Sequence, residues 1–109
     1  MADIFEDFAD LDELAGDLRA ADPGQRRIAV LALRDSGDPA AIQLIGDLAT
    51  DPDPGVRSEA AAALAAFDGV ETAGHLATYL VDEDHEVAQA AAQSLTELKQ
   101  SAAAAPLLA

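Results

Sequence analysis

Three columns of identical residues recur along this chain at a fixed interval of 31 positions. Each repeat of the pattern begins with an aspartate, which is followed by an alanine seven positions later and a leucine four positions after that. An interval of this length is typical of stacked structural units that bury their apolar faces against one another. The three columns are Asp22, Asp53 and Asp84; Ala29, Ala60 and Ala91; and Leu33, Leu64 and Leu95.

Each unit has the start and stop signals of two helices. In the second unit, Asp53 precedes Pro54, which is the usual order of an N-cap and a first helical residue. Apolar residues then follow at helical spacing until Asp68-Gly69, which is predicted to end the first helix. A second helix is predicted over about 70–81. Beta-branched residues are sparse, which argues against a sheet.

We therefore predict a single all-α domain, a right-handed α-solenoid of antiparallel helix pairs. Its expected parts are an N-terminal capping helix (1–21), two full repeats (22–52 and 53–83) and an incomplete third repeat (84–109). The segment 103–108 resembles the start of another second helix. This short helix is expected to leave the C-terminal edge partly uncovered and to favour self-association there. The apolar residues expected to face inward in the capping helix are Ile4, Phe8, Leu11, Leu14 and Leu18. Those expected to be partly exposed at the C-terminal edge are Leu95, Leu98, Leu107 and Leu108.

The composition excludes several classes of function. The formal charge is −15 with a single lysine, so the surface is expected to repel nucleic acid and anionic membranes. The chain has no cysteine, which removes thiolate chemistry and zinc–thiolate sites. The acidic N-terminus is unlike a targeting peptide, so a cytoplasmic location is expected. Fourteen of the 21 acids are aspartate, a composition that resembles proteins of halophilic archaea.

The segment 51–64, Asp-Pro-Asp-Pro-Gly-Val-Arg-Ser-Glu-Ala-Ala-Ala-Ala-Leu, resembles the first helix of the short HEAT-like repeats of phycobilisome lyases and of many bacterial and archaeal scaffolds. The segment 37–42 resembles the inter-helix turn of those repeats. The resemblance implies a protein-interaction scaffold rather than an enzyme. The alternatives are a bilin lyase-like enzyme or enzyme subunit, and a terminal segment of a larger signalling or assembly scaffold.

The same resemblance implies a ladder of arginines and aspartates between neighbouring turns. Its expected arginines are Arg26 and Arg57, and its expected acceptors or helix caps are Asp22, Asp53 and Asp84. In the third unit Ala88 takes the place of the arginine. Recognition of an anion or a carboxylate by the two arginines is the alternative role.

No catalytic, metal or cofactor site is predicted, and the partner is expected to be another protein. The cluster at 82–86 lacks the spacing of metal ligands on a helix and the glycine of a calcium loop. Second helices line the concave side of solenoids, where partners commonly dock. The residues expected at that binding surface are Gln43, Asp47, Thr50, Glu71, His75, Thr78 and Tyr79.

Overall fold

The computed structural model describes the backbone of residues 10–108 and the side chains of residues 11–99. Over this range the chain forms six α-helices and no β-strand, so the all-α prediction is confirmed. The expected inward residues Ile4 and Phe8 lie outside the described part, and so do the side chains of Leu107 and Leu108, which were expected at the C-terminal edge. The helices are α1 (Asp10–Asp17), α2 (Pro23–Ser36), α3 (Ala40–Gly46), α4 (Pro54–Ala63), α5 (Val70–Leu80) and α6 (His85–Leu108). Short 3-10 helices, Asp47–Thr50 and Leu64–Ala66, extend α3 and α4.

The helices form the two layers of an α-solenoid. One layer contains α2, α4 and α6, each packed on the next, and the other contains α1, α3 and α5. We refer to them as the first-helix layer and the second-helix layer. The core between them is contiguous and contains mostly alanine and branched aliphatic side chains. Leu11, Leu14 and Leu18 of the N-terminal region pack against its edge.

Local sequence signals begin and end the helices. Asp22 and Asp53 accept hydrogen bonds from Gln25 N and Val56 N, and a proline follows each aspartate. The two turns between paired helices contain the positive-φ residues of the described chain, Gly37 (φ 66°) and Gly69 (φ 113°). Glycine adopts this conformation without the steric cost that a Cβ brings. The chain can therefore reverse direction at both turns.

The third unit differs from the sequence prediction. Residues 85–108 form one continuous helix of 24 residues, and no second helix starts near residue 103. At the interval of 31, Lys99 and Gln100 correspond to Asp68 and Gly69, the residues of the turn between α4 and α5. Both are good helix formers. Because no glycine is available to end the helix, α6 continues along its own axis.

Candidate functional site

The first rung of an arginine–aspartate ladder lies at the turn between the first two helix pairs. The side chain of Arg26, on α2, donates from Nε to Asp51 Oδ2 (2.9 Å) and from Nη2 to Asp51 Oδ1 (3.0 Å). Its Nη1 donates to the carbonyl oxygens of Ala20 (2.8 Å) and Ala21 (3.1 Å). Both charged side chains are at least nine-tenths buried. Arg26 therefore holds the chain entering α2 against the chain leaving α3.

The second rung repeats this geometry one unit later. Arg57 Nε donates to Asp82 Oδ2 (2.8 Å), Nη2 donates to Asp82 Oδ1 (3.3 Å), and Nη1 donates to the Asp51 carbonyl oxygen (2.8 Å). The backbone N–H groups of Asp53 and Asp84 donate to the carboxylates of Asp51 and Asp82. Asp51 thus connects the two rungs, because its side chain belongs to one and its carbonyl oxygen to the other.

Of the two roles expected for Asp22, Asp53 and Asp84, ladder acceptor or helix cap, the structure shows the cap, and the ladder acceptors are two other aspartates. They are Asp51 and Asp82, which follow their arginines by 25 residues, whereas Asp22, Asp53 and Asp84 are helix caps that accept backbone N–H groups. The caps precede each first helix, so their carboxylates bond the first turn instead of reaching the guanidinium. The available signal was the matching pair Asp51 and Asp82 at the interval of 31.

Electrostatics at both rungs favours the charged forms. The hydrogen bonds that Arg26 and Arg57 donate to the carboxylates of Asp51 and Asp82 raise the pKa values of the two arginines. Burial alone acts to raise the pKa of Asp82, but hydrogen bonds from Arg57 and from the Asp84 N–H outweigh it and leave that pKa below the usual value. The guanidinium donors are directed at protein oxygens, which supports a structural role for the arginines over recognition of an anion.

The expected binding residues are distributed over α3, α5 and the segment after α3. Gln43 and Asp47 are exposed, and Gln43 Nε2 donates to Asp47 Oδ1 (2.7 Å). Thr50 is exposed at the end of the 3-10 helix, and Glu71 and Thr78 are exposed on α5. Asp47 and Thr78 are 31 residues apart, so they occupy the same position in successive second helices.

Tyr79 does not belong to this surface. Its side chain is fully buried, and its hydroxyl donates to the Ile45 carbonyl oxygen (2.6 Å). Burial also raises the pKa of the phenol above its usual value. Tyr79 follows Thr72 and Leu76 at helical spacing, and these two residues are buried as well. That spacing was the sequence signal for Tyr79 in the core. Its hydrogen bond to Ile45 connects α5 to α3.

His75 occupies an intermediate position between core and surface. Its side chain is half-buried, and Nε2 lies 4.0 Å from Glu71 Oε2. The ring lies directly over Gly46 of α3, at a place where any Cβ on residue 46 would overlap the imidazole. The absence of a side chain at Gly46 therefore makes room for the His75 ring. The sequence pattern did not predict this contact.

Charge is divided unequally between the two layers. The second-helix layer contains no lysine or arginine among residues 10–17, 40–50 and 70–80, yet it exposes five carboxylates. The first-helix layer carries five of the six cationic side chains of the chain, and the sixth, Arg19, lies in the turn after α1. The exposed carboxylates belong to Asp12, Glu13, Asp17, Asp47 and Glu71.

Two layers of antiparallel helix pairs, repeated every 31 residues and joined by a ladder at their turns, define a helical repeat protein. A model of the HEAT repeats matches residues 11–96. The chain therefore belongs to the HEAT-repeat family. None of the curated proteins is similar enough in sequence to count as a match.

Two properties of the described residues bear on the kind of site. None of their helices combines the length and apolarity that a bilayer crossing requires. Nor do they bring together three histidine, cysteine or carboxylate side chains in an arrangement suited to a metal ion. At the turn of residues 82–86, Asp82 bonds Arg57 and Asp84 caps α6. These two carboxylates of the turn therefore serve the ladder and the helix cap.

Proposed function

We propose that this HEAT-repeat protein is an interaction scaffold that binds a basic segment of another protein on the outer face of its second-helix layer. The unequal distribution of charge between the two layers carries the proposal. A surface that exposes carboxylates without interspersed cations attracts Lys- and Arg-bearing partners and repels acidic ones. HEAT solenoids commonly use an extended helical surface of this kind for binding.

The rigidity of the surface supports the same proposal. Tyr79 and the ladder fix α3, α5 and the turns to one another through buried hydrogen bonds. Among the described side chains no buried polar atom lacks a hydrogen-bond partner. A surface held in this way loses little conformational entropy when a partner docks. Its exposed polar residues, Gln43, Asp47, Glu71 and Thr78, are the proposed contacts.

The test uses charge reversal on one layer, with a matched reversal on the other. In Asp47→Lys/Glu71→Lys the binding face loses two carboxylates and gains two cations. In the control, Glu83→Lys/Glu97→Lys, the same charge change is made at exposed residues of a turn and of α6. Each protein is used to capture partners from an extract of the source organism, and a recovered partner is then purified and titrated against all three proteins.

We expect the partner to bind the wild type and the control with similar affinity. A loss of about 1.4 kcal/mol in binding free energy raises Kd tenfold. Because the reversed face loses several carboxylate–cation pairs, it is expected to bind at least tenfold more weakly. Equal weakening by both double variants would show only a dependence on net charge. Such a result contradicts a binding site on the second-helix layer.

The setting proposed for this scaffold is a salt-rich cytoplasm. The acid excess and the single lysine support it. At molar salt the Debye length is about 3 Å, so neighbouring carboxylates of the second-helix layer repel one another weakly. The dependence of stability on salt tests this part separately from partner binding.

A further inference from the structure

Helix α5 carries an uncovered apolar strip beside its buried face. Val70 is 90% exposed, Val81 at the end of the helix is 82% exposed and Leu80 is 41% exposed. Gly74 and Ala77 are exposed between them, and Ala73 is partly exposed. At 100° per residue these six positions form one continuous strip. The polar residues Glu71, His75 and Thr78 lie beyond the Gly74 edge of this strip.

Two positions of this strip have counterparts on α3 that are covered. At the interval of 31, Ile42 corresponds to Ala73 and Gly46 to Ala77. Ile42 is 6% exposed and Gly46 is buried, because α5 packs against α3 and places His75 over Gly46. The part of the strip around Ala73 and Ala77 is therefore the position at which the repeat geometry receives one more second helix.

The segment that corresponds to that second helix is 101–108. In each of the first two units a glycine turn brings the second helix back onto its own first helix. In the third unit these residues continue α6 without a turn. At 1.5 Å per residue α6 is about 36 Å long and α5 about 16 Å long. The end of α6 thus extends past the start of α5 and leaves the strip uncovered.

We propose that two copies of the chain form a reciprocal dimer in which residues 101–108 of each copy cover the α5 strip of the other. A two-fold axis placed at the Val70 end of α5 makes each extended α6 run along the α5 helix of the other copy, from its start to its end. Second helices of neighbouring repeats run in the same relative direction. The exchanged segment therefore takes the position that it has in a closed repeat, as in domain swapping.

The chemistry of the segment fits the strip. Residues 98–109 contain no acid in a chain whose net charge is −15, so this segment approaches the acidic second-helix layer without repulsion. The segment 101–108, Ser-Ala-Ala-Ala-Ala-Pro-Leu-Leu, combines small residues with two leucines. Small residues allow close helix packing against Ala77, as Gly46 does beneath His75.

The first experiment measures mass by sedimentation over a concentration series in molar potassium chloride, where charge repulsion is screened. The wild type is expected to sediment as a dimer. Ala77→Glu places a carboxylate in the strip and is expected to halve the mass, whereas Thr78→Glu adds the same charge outside the strip and is expected to leave the dimer intact. A monomeric wild type, or an Ala77→Glu protein that remains dimeric, overturns the proposal.

The second experiment identifies the contact. At the interval of 31, Pro106 corresponds to His75 and Ala77 to Gly46, so these two residues are expected to touch. Because the chain has no cysteine, Ala77→Cys/Pro106→Cys introduces the only two thiols. Mild oxidation is expected to give a dimer on a denaturing, non-reducing gel. A disulfide within one chain, or none, overturns the exchange, and Thr78→Cys/Pro106→Cys serves as the control.

A third variant restores the missing turn. Lys99→Asp/Gln100→Gly gives the third unit the Asp-Gly pair that ends the first helix of the second unit. The segment is then expected to fold back on its own α5, which converts the protein into a folded monomer of half the mass. A variant that stays dimeric contradicts the role of the straight α6 in the exchange.

Discussion

At the scale of single residues, close contacts between layers depend on small groups and on paired charges. Gly46 lies directly beneath the His75 ring, and Tyr79 reaches the carbonyl of the residue before Gly46. These contacts position α5 against α3. The ladder carboxylates Asp51 and Asp82 each receive a guanidinium and a backbone N–H, so their charges are neutralised where water is excluded. Substitutions at these positions test the two kinds of contact separately.

We expect Gly46→Ala to destabilise the protein, because the new Cβ overlaps the imidazole of His75. Overpacking costs about 1–3 kcal/mol, which is partly offset by the gain of about 1 kcal/mol for alanine over glycine in a helix. A net loss of about 1 kcal/mol in the free energy of unfolding is expected by denaturant titration.

Two controls belong to this prediction. Gly74→Ala on α5 meets no neighbouring atom and is expected to stabilise the protein by about 0.4–1 kcal/mol. His75→Ala is expected to remove the penalty of Gly46→Ala in the double variant, because the ring is then absent. If Gly46→Ala and Gly74→Ala change stability equally, the packing of His75 on Gly46 is not a constraint.

The second residue-scale prediction concerns pH. The pKa of Asp82 is lower in the folded chain than its ordinary value, so its carboxylate stabilises the fold above the unfolded pKa of about 3.9. That contribution is lost as the pH falls through the lower pKa of the folded state. Asp82→Asn is expected to cost about 1.5–3 kcal/mol at neutral pH and progressively less in acid.

The measurement is the difference in unfolding free energy between wild type and variant as a function of pH. Glu83→Gln, at an exposed residue of the same turn, is the control and is expected to show a small and nearly constant difference. A difference for Asp82→Asn that stays constant down to the acid transition would show that the ion pair with Arg57 contributes no pH-dependent stability.

At the scale of helices, the alanine column sets how closely the first helices approach. Ala29 is 2% exposed, and Ala60 and Ala91 are fully buried between successive first helices. The hydroxyl of Ser94 on α6 also donates to the Ala61 carbonyl oxygen of α4 (2.9 Å), which requires close backbones. Side chains of minimal volume at these positions keep the helices at short interaxial distances.

Ala60→Leu and Ala91→Leu are each expected to destabilise the fold by about 1–3 kcal/mol, because the added atoms force α2, α4 and α6 apart. The matched control is Ala62→Leu, which makes the same substitution at an exposed position of α4 and is expected to change stability by less than about 0.5 kcal/mol. Similar effects at Ala60 and Ala62, measured by thermal unfolding, would show that helix propensity and not packing is responsible.

At the scale of the whole molecule, electrostatic repulsion opposes the compact state. The second-helix layer has exposed carboxylates on all three of its segments and no basic residue in them. The buried ladder leaves only four arginines and lysines to offset the remaining acids. Salt is therefore expected to influence folding more than it does in a chain of balanced charge.

Raising potassium chloride from dilute buffer to molar concentration is expected to increase the Tm, because the Debye length falls from about 10 Å at 0.1 M to about 3 Å at 1 M. For a chain of this size each kcal/mol regained corresponds to about 4–8 °C. Asp47→Asn/Glu71→Gln is expected to reduce the dependence, since it removes two charges of the second-helix layer. A Tm that is independent of salt contradicts the proposed adaptation to a salt-rich cytoplasm.

The sequence alone determined the features that depend on local chemistry. Apolar spacing, the Asp-Pro starts and the glycine turns establish helix pairs within a few residues, because caps and positive-φ glycines act inside one turn of backbone. The interval of 31 also identified the alanine column, and the resemblance of the segment 51–64 to HEAT-like repeats indicated the family. Lys99 and Gln100 stand where the second unit has its Asp-Gly turn, and this absence of glycine indicates that α6 continues. The similarity of 103–108 to a second helix led to the opposite expectation.

Tertiary structure decided which groups meet between units. Arg26 and Asp51 are 25 residues apart, and they meet because the chain folds back on itself over one whole helix pair. Tyr79 is buried and Thr78 is exposed because neighbouring helix positions differ by 100° and only packing on α3 defines the inner side. The apolar strip on α5 is likewise visible only in three dimensions, because Ala73 is partly exposed and Ala77 is exposed, whereas packing against α5 buries the corresponding residues of α3.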